Sequence, residues 1–120
     1  MDLKRILGLL LPEGLEEYYD LVDIEEHKDK YVLHLDEKNT PPHYIDKSQK
    51  IVSKGFFEAK TIQDFNLRGQ PTFLRIRRRK WMVQETGAII HNDWKIAQEG
   101  TRMTRELAAF LKEVDRRYAH

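Results

Sequence analysis

The chain has 120 residues, of which 40% are hydrophobic and 34% charged, so it is long enough for one compact domain and too apolar for a disordered chain. It contains no cysteine, which excludes disulfides and cysteine-ligated zinc or iron–sulfur sites. No apolar run approaches the ~20 residues of a membrane span, and no signal peptide is recognisable. We therefore expect a cytoplasmic protein without membrane contact, forming a single domain over residues 1–120.

The first 20 residues are interpreted as a helical N-terminal segment. Between residues 2 and 11 the apolar residues recur at helical spacing, with Asp2 as an N-cap, until Pro12 and Gly14 interrupt the pattern. From Leu15 to Asp20 we expect another turn or two of helix. Its inward-facing residues would be Leu15, Tyr18 and Tyr19.

Residues 21–95 are interpreted as a β-rich body. Alternation of apolar and polar residues around Val22–Glu25 and Tyr31–Asp36 predicts a β-hairpin with one solvent-exposed face. Residues 43–55 carry only weak signals. Further strands are expected from Phe56 to about Asn66, from Thr72 to Val83 and over 88–92, with turns at 68–71 and 84–87.

A helix is predicted over 101–118, with Thr101 as a plausible N-cap. Its apolar residues follow a helical stripe. We therefore expect an α+β fold, in which a small antiparallel β-sheet of about five strands carries N-terminal helices and a long C-terminal helix. The stripe consists of Met103, Leu107, Phe110, Leu111, Val114 and Tyr118.

Charge is distributed unevenly along the chain, although 21 Lys and Arg nearly balance 20 Asp and Glu. The first 60 residues carry a net charge of −4 and the last 60 a net charge of +5. From Asn66 to Gln84, nineteen residues include no acid. Such a block repels itself unless solvent, acids from elsewhere or an anionic partner neutralises it.

The predicted strand Thr72–Val83 concentrates this charge. Period-two alternation places Leu74 and Ile76 towards the core and Arg75, Arg77 and Arg79 towards solvent, with an aromatic residue at each end of the row, Phe73 and Trp81. Same-face residues lie about 6.6–6.8 Å apart on a strand. That spacing is close to the ~7 Å between adjacent phosphates of a nucleic-acid strand. Guanidinium groups bind phosphate through paired hydrogen bonds, and Trp81 could stack on a base or sugar.

The alternative is that these arginines form a solvated face paired to acids on neighbouring strands. Glu25, Asp36 and Glu58 are available for that role, and Asp64 and Asp93 are others. Arg78 and Lys80 are weaker candidates for nucleic-acid contact, because they fall on the apolar-side register unless the strand bulges.

Evidence for catalysis or a cofactor is lacking in the sequence. The five histidines do not have metal-ligand spacing, the acid pairs are adjacent rather than convergent, and no phosphate-binding glycine motif or nucleophile motif occurs. We expect no enzyme activity, metal or cofactor in this chain.

Short motifs follow one another in a fixed order along the chain. They are Leu-Leu-Pro-Glu-Gly-Leu at 10–15, Glu37-Lys38-Asn39 with Pro41-Pro42, Ser53-Lys54-Gly55-Phe56-Phe57, Thr61-Ile62-Gln63-Asp64-Phe65, Arg68-Gly69, Asp93-Trp94, Glu99-Gly100-Thr101-Arg102 and Ala108-Ala109-Phe110-Leu111-Lys112-Glu113. This ordered set resembles the N-terminal region protein of split-frame bacterial insertion-sequence transposases. The resemblance covers about residues 9–118, and its specificity lies in the order rather than in any one motif. It implies that the catalytic acids belong to a second, separately encoded subunit.

A more distant resemblance connects 68–80 and 101–117 to a zinc-binding module found at the start of many insertion-sequence transposases. There an arginine-rich strand leads into the first metal-binding cysteine pair. Here Trp81 and Met82 stand in place of cysteines, so the zinc role is not carried over. We hypothesise that apolar packing of Trp81, Met82, Ile90 and Trp94 replaces the metal.

The leading hypothesis is a non-catalytic DNA-binding and end-recognition module that acts with the catalytic transposase in DNA transposition. Its partners would be the DNA ends of the element and that subunit, and a homodimer is left open. The alternative is a protein–protein docking module for the catalytic transposase or another acidic partner, with Phe56, Phe57, Tyr118 and the N-terminal leucines as interface candidates. The candidate DNA-binding residues are Arg68, Arg75, Arg77, Arg78, Arg79, Lys80, Trp81, Arg102, Arg105 and Arg116.

Overall fold

The computed structural model describes residue 5 and residues 9–42, 48–92 and 104–118. These residues form seven strands, one 3₁₀ turn and one long helix, which agrees with the α+β class. The elements are the 3₁₀ turn Leu15–Glu17, β1 Tyr19–Glu26, β2 Tyr31–Glu37, β3 Ile51–Phe56, β4 Lys60–Leu67, β5 Gln70–Arg77, β6 Arg79–Val83, β7 Ile89–Ile90 and α1 Arg105–Tyr118.

The strands form two sheets, not the single antiparallel sheet expected. The first has the order β1-β2-β5-β4 and the second the order β3-β6-β7. In the first sheet two antiparallel hairpins, β1–β2 and β4–β5, lie side by side so that β2 and β5 run parallel. The exclusively antiparallel arrangement was wrong because hairpin signals are local, whereas the contact between hairpins is made by strands distant in sequence.

Both hairpin turns predicted in the first sheet are confirmed. The His27 N–H donates to the Lys30 carbonyl at 2.9 Å and closes the β1–β2 turn. Between β4 and β5, Leu67 pairs with Gln70, and the two residues that separate them have φ angles of 54° and 77°. Two consecutive positive φ angles are typical of the type I′ turn, whose twist matches that of paired strands.

The core lies between the first sheet and α1. The inner sheet face contributes Leu33, Leu35, Leu74 and Ile76, all essentially inaccessible to solvent. The predicted helical stripe is confirmed for the residues described, and its members pack against this face. They are Leu107, Phe110, Leu111 and Val114, with Tyr118 partly buried against the same cluster; Met103 lies outside the described residues.

The predicted N-terminal helices are not supported. Over residues 9–20 the only helical element is the 3₁₀ turn, which Gly14 precedes with a φ of 89°, a left-handed conformation that interrupts an α-helix. Tyr19 and Asp20 belong to β1, because their backbones pair with the end of β2. Leu9 and Leu10 are exposed, and most of the predicted helix over 2–11 lies outside the described residues.

Helix α1 begins three residues later than the Thr101 cap predicts. The Thr104 Oγ1 accepts a hydrogen bond from the Leu107 N–H at 3.1 Å, which makes Thr104 the N-cap. In the described part of the chain, no helix is long and apolar enough to cross a membrane.

Replacing Thr104 by alanine should lower the free energy of unfolding by about 1 kcal/mol, because the Leu107 N–H loses its acceptor at the helix start. Thr101→Ala is the matched control and should leave the urea midpoint unchanged. Equal losses in the two variants would contradict the assignment of Thr104 as the cap.

Candidate nucleic-acid interface

The predicted strand Thr72–Val83 is interrupted at Arg78, where the chain passes from the first sheet to the second. Before the interruption the buried residues have even numbers, as Leu74 and Ile76 do, whereas after it they are Trp81 and Val83. The inward face therefore changes parity. This shift separates the predicted row of arginines into two parts with different surroundings.

On the outer face of the first sheet, Arg75 and Arg77 are exposed as predicted. The Arg75 Nη1 donates to the Thr61 hydroxyl at 3.1 Å, and Arg75 has no ion pair with a described residue. Arg77 donates from both Nε and Nη2 to Asp36 at 2.6 Å, which raises the pKa of the guanidinium. Pairing to a neighbouring acid thus applies to Arg77 but not to Arg75.

Phe56 and Phe57 lie next to the point where the chain passes from β5 to β6, because Phe56 pairs with Arg79 and the Phe57 N–H donates to the Arg78 carbonyl. The guanidinium carbons of Arg77 and Arg79 lie 4.0 and 4.6 Å from the Phe56 ring centroid, and the Lys80 Nζ lies 5.3 Å from that of Phe57. The bulge in β3 just before Phe56 permits this placement, since the β3–β6 register shifts there. We call Arg75, Arg77, Arg79 and Lys80 the basic ridge.

Arg78 and Trp81 do not belong to this surface. Arg78 is 4% exposed, and its Nη2 donates to Asp115 of α1. Trp81 is 3% exposed and pairs with Ile90 of β7. The expectation that Trp81 ends an exposed row was wrong, because the parity change turns it inward. Met82 is half-buried beside it, and Trp94 lies outside the described residues.

The other candidate arginines that the structure describes lie away from the ridge. Arg68 is exposed in the β4–β5 turn, and Arg102 is outside the described residues. Arg105 and Arg116 are exposed on α1, which packs against the inner face of the first sheet, so they do not extend the outer face. Arg116 also donates twice to Glu113, at 2.8 and 2.6 Å.

An acid–histidine cluster lies next to Arg75. Glu25 accepts hydrogen bonds from His34 and, at 3.0 Å, from the Nε2 of His27. These contacts, that of His34 foremost, lower the pKa of Glu25. Together with Arg75 the cluster lines an open groove of about 490 Å³. The acids of β1 therefore border the ridge on one side.

Glu37 is buried where the two sheets meet, at 1% exposure. Its Oε1 accepts the Arg79 backbone N–H and its main-chain oxygen accepts the Arg79 Nε–H, both at 3.0 Å. Burial raises the pKa of this carboxyl to about 7, although Arg78 and Arg79 oppose the rise. The Glu37 Oε2 has no hydrogen-bond partner among the described residues. Glu37 thus fixes the backbone at the strand interruption.

The sequence interpretation missed Glu37, Lys60 and Asp115 as parts of this region. For Glu37 a signal was available, because it follows Leu33 and Leu35 on the inward register of β2. For Lys60 and Asp115 we find none, since their importance depends on contacts between distant elements.

Within the ranges described, no group of three or more His, Asp or Glu side chains is placed to hold a metal ion. Comparisons of the chain with protein-family models, with curated proteins and with solved structures give no match.

Proposed function

We propose that this chain is a non-catalytic DNA-contacting module of an insertion-sequence transposase and acts at the element's ends with a separately encoded catalytic subunit. The observation that carries the proposal is the basic ridge. Arg75, Arg79 and Lys80 have no side-chain ion pair with a described residue, and they follow one another along β5 and β6. The family assignment is supported by the ordered motifs alone.

Contact with the phenylalanine rings orders the cationic side chains of the ridge before phosphate binds. A cation held over a ring is restricted in its rotamers, yet its N–H groups can still point outwards. The Arg79 Nη atoms make no hydrogen bond with a described residue. Phosphate contacts of this kind position a protein on DNA but carry little sequence information, so recognition of a particular end sequence would need the catalytic subunit or further contacts.

We expect binding to duplex DNA to be strongly salt-dependent. Neutralising about three phosphates gives a slope of roughly −2.7 for log K against log salt, less steep than the −4.5 that five contacts would give. Arg75→Ala should weaken binding about tenfold and reduce the magnitude of the slope by about 0.9. The measurement is fluorescence anisotropy with terminal-repeat duplexes at several salt concentrations.

The matched control for that experiment is Arg105→Ala, which removes an exposed arginine on the opposite side of the first sheet. It should leave both affinity and slope close to those of the parent protein. A flat salt response in the parent, or equal effects of the two substitutions, would be incompatible with DNA contact through the ridge.

Docking on the catalytic transposase is the second candidate function. Two observations favour it: Leu9 is 77% exposed, and Asp36 offsets Arg77 within the ridge. In that case the catalytic subunit should co-purify with the chain in the absence of DNA, and Arg75→Ala should leave the co-purification intact.

A further inference from the structure

A pocket of about 330 Å³ opens at the Phe57 end of the basic ridge. A volume of this size lies within the range of small-ligand sites and exceeds what one nucleobase fills. We call it the Tyr118 pocket. Its lining residues are Phe57, Glu58, Lys60, Arg78, His91 and Tyr118.

We propose that the Tyr118 pocket binds one unpaired nucleobase of a DNA end together with an adjoining phosphate. This inference rests on the proposed DNA contact and adds to it a structure-selective step, because a base inside a duplex could not enter. The ligand class is thus a nucleotide at an overhang, a flap or an extruded position.

Aromatic rings form the walls of the pocket. The Phe57 ring centroid lies 6.3 Å from that of His91 and 6.3 Å from that of Tyr118, with interplanar angles of 77° and 62°. Rings set at such angles present both edges and faces to the space between them. A planar base can stack on one face, which is favourable for any base because each has a π-face.

Basic groups surround the same rings. The Lys60 Nζ lies 5.7 Å and the Arg78 guanidinium carbon 4.9 Å from the Tyr118 ring centroid, and Lys80 of the ridge lies over Phe57. Cations next to stacking surfaces are the combination that single-stranded nucleic acid requires. Glu58, the one acid among the described lining residues, is exposed and can accept a hydrogen bond from an exocyclic amino group.

The pocket is held in place before any ligand enters. The Tyr118 hydroxyl accepts the Arg78 backbone N–H at 3.1 Å and lies 2.9 Å from the Glu58 carbonyl and 3.0 Å from that of Ile76. These contacts fix the ring against the end of β5 and the connection between β3 and β4, so little order is lost on binding. The Arg78 Nε–H, almost completely buried, lacks an acceptor among the described residues, and a base carbonyl or phosphate oxygen could satisfy it.

The experiment compares three DNA probes: a fully paired duplex, the same duplex with a one-nucleotide overhang carrying 2-aminopurine, and the same overhang with an abasic residue. The last two have the same number of phosphates, so their difference isolates the base. We expect the protein to bind the 2-aminopurine overhang roughly tenfold more tightly than the abasic one. The fluorescence of the 2-aminopurine should fall on binding, because stacking on an aromatic ring quenches it.

Phe57→Leu should abolish the preference for the base-containing overhang over the abasic one. This ratio is the readout because Phe57 also contacts Lys80 of the ridge, so a change in general affinity affects both overhangs alike. Phe73→Leu, a half-buried phenylalanine remote from the pocket, is the control and should keep the preference. Because Phe57 also contacts its neighbours, Lys60→Gln against Lys50→Gln provides a second pair that leaves the aromatic rings in place. Lys60→Gln should weaken overhang binding several-fold and Lys50→Gln should not.

Equal affinity of the parent protein for the base-containing and abasic overhangs would overturn the pocket assignment. If binding to the paired duplex is then still steep in salt, the proposed DNA contact stands and only the pocket fails. Absence of salt-dependent binding to all three probes would overturn both together.

Discussion

The free energy of unfolding of the parent protein should fall by about 3 kcal/mol as pH rises from about 4.5 to above 7, and Glu37→Gln should abolish this fall. A pKa raised from 4.5 to about 7 in the folded state corresponds to that free energy. Burial is the cause, since the ionised carboxylate has lost most of its water. Glutamine keeps an oxygen for the Arg79 N–H and carries no charge.

The sign follows from proton binding. Between pH 4.5 and 7 the folded state holds the Glu37 proton while the unfolded state releases it, so the free energy of unfolding falls with rising pH. The contribution of this carboxyl is complete below pH 4.5 and is lost as pH rises through about 7. In the variant the folded and unfolded states bind the same number of protons at this position, and the decline should disappear.

Urea unfolding at several pH values between 3 and 8.5 measures this effect. Glu113→Gln is a useful control, because hydrogen bonds from Arg116 and then Arg117 lower the pKa of Glu113 to about 2. Its contribution is present above pH 4.5 and is lost as pH falls through about 2, so its removal should change the pH dependence of stability only on the acid side. A parallel pH decline in Glu37→Gln and the parent would contradict the assignment.

Asp115→Asn should lower the free energy of unfolding by about 2–3 kcal/mol. The substitution leaves the Arg78 guanidinium almost completely buried without its carboxylate. Breaking a fully buried pair costs about 3–5 kcal/mol, and the smaller figure applies because Asp115 is partly exposed. The pair also joins α1 to the point where the chain changes sheets, so the loss should extend to the packing of the helix.

A double-mutant cycle separates the ion pair from packing. In an Arg78→Met background the buried charge is absent, and Asp115→Asn should then have little effect, about 0.5 kcal/mol or less. Measuring all four proteins at pH 5, where the folded state keeps Glu37 protonated, avoids interference from that group. Additive effects of the two substitutions would show that Arg78 does not depend on Asp115.

Local patterns predicted the elements whose partners are close in sequence. Three examples are the β1–β2 hairpin, the turn at Arg68 and Gly69, and the apolar stripe of α1. Each depends on residues that are close to one another in sequence. Strand β3 was missed because Ile51 and Val52 start a short alternation that Gly55 interrupts, and its partner β6 lies some thirty residues later.

The candidate site was predicted less completely, because charge and alternation do not show which cations have partners. Arg75 and Arg77 have the same side chain and lie on the same face of β5, yet only Arg77 lies opposite an acid. The parallel β2–β5 pairing places Asp36 there. The inward turn of Trp81 could have been predicted. Apolar residues at 74 and 76 and again at 81 and 83 have opposite parity, which requires an irregularity between them.

The parallel contact at the centre of the first sheet has a consequence for how the chain folds. Asp36 and Arg77, joined across that contact, are 41 positions apart, whereas each hairpin closes locally within microseconds. The slow step should therefore be the association of two preformed hairpins. During synthesis the edge of β2 stays unpaired while some forty further residues are made. His34 and Asp36, which alternate along β2, are the kind of polar residues that keep such an edge from pairing with another chain.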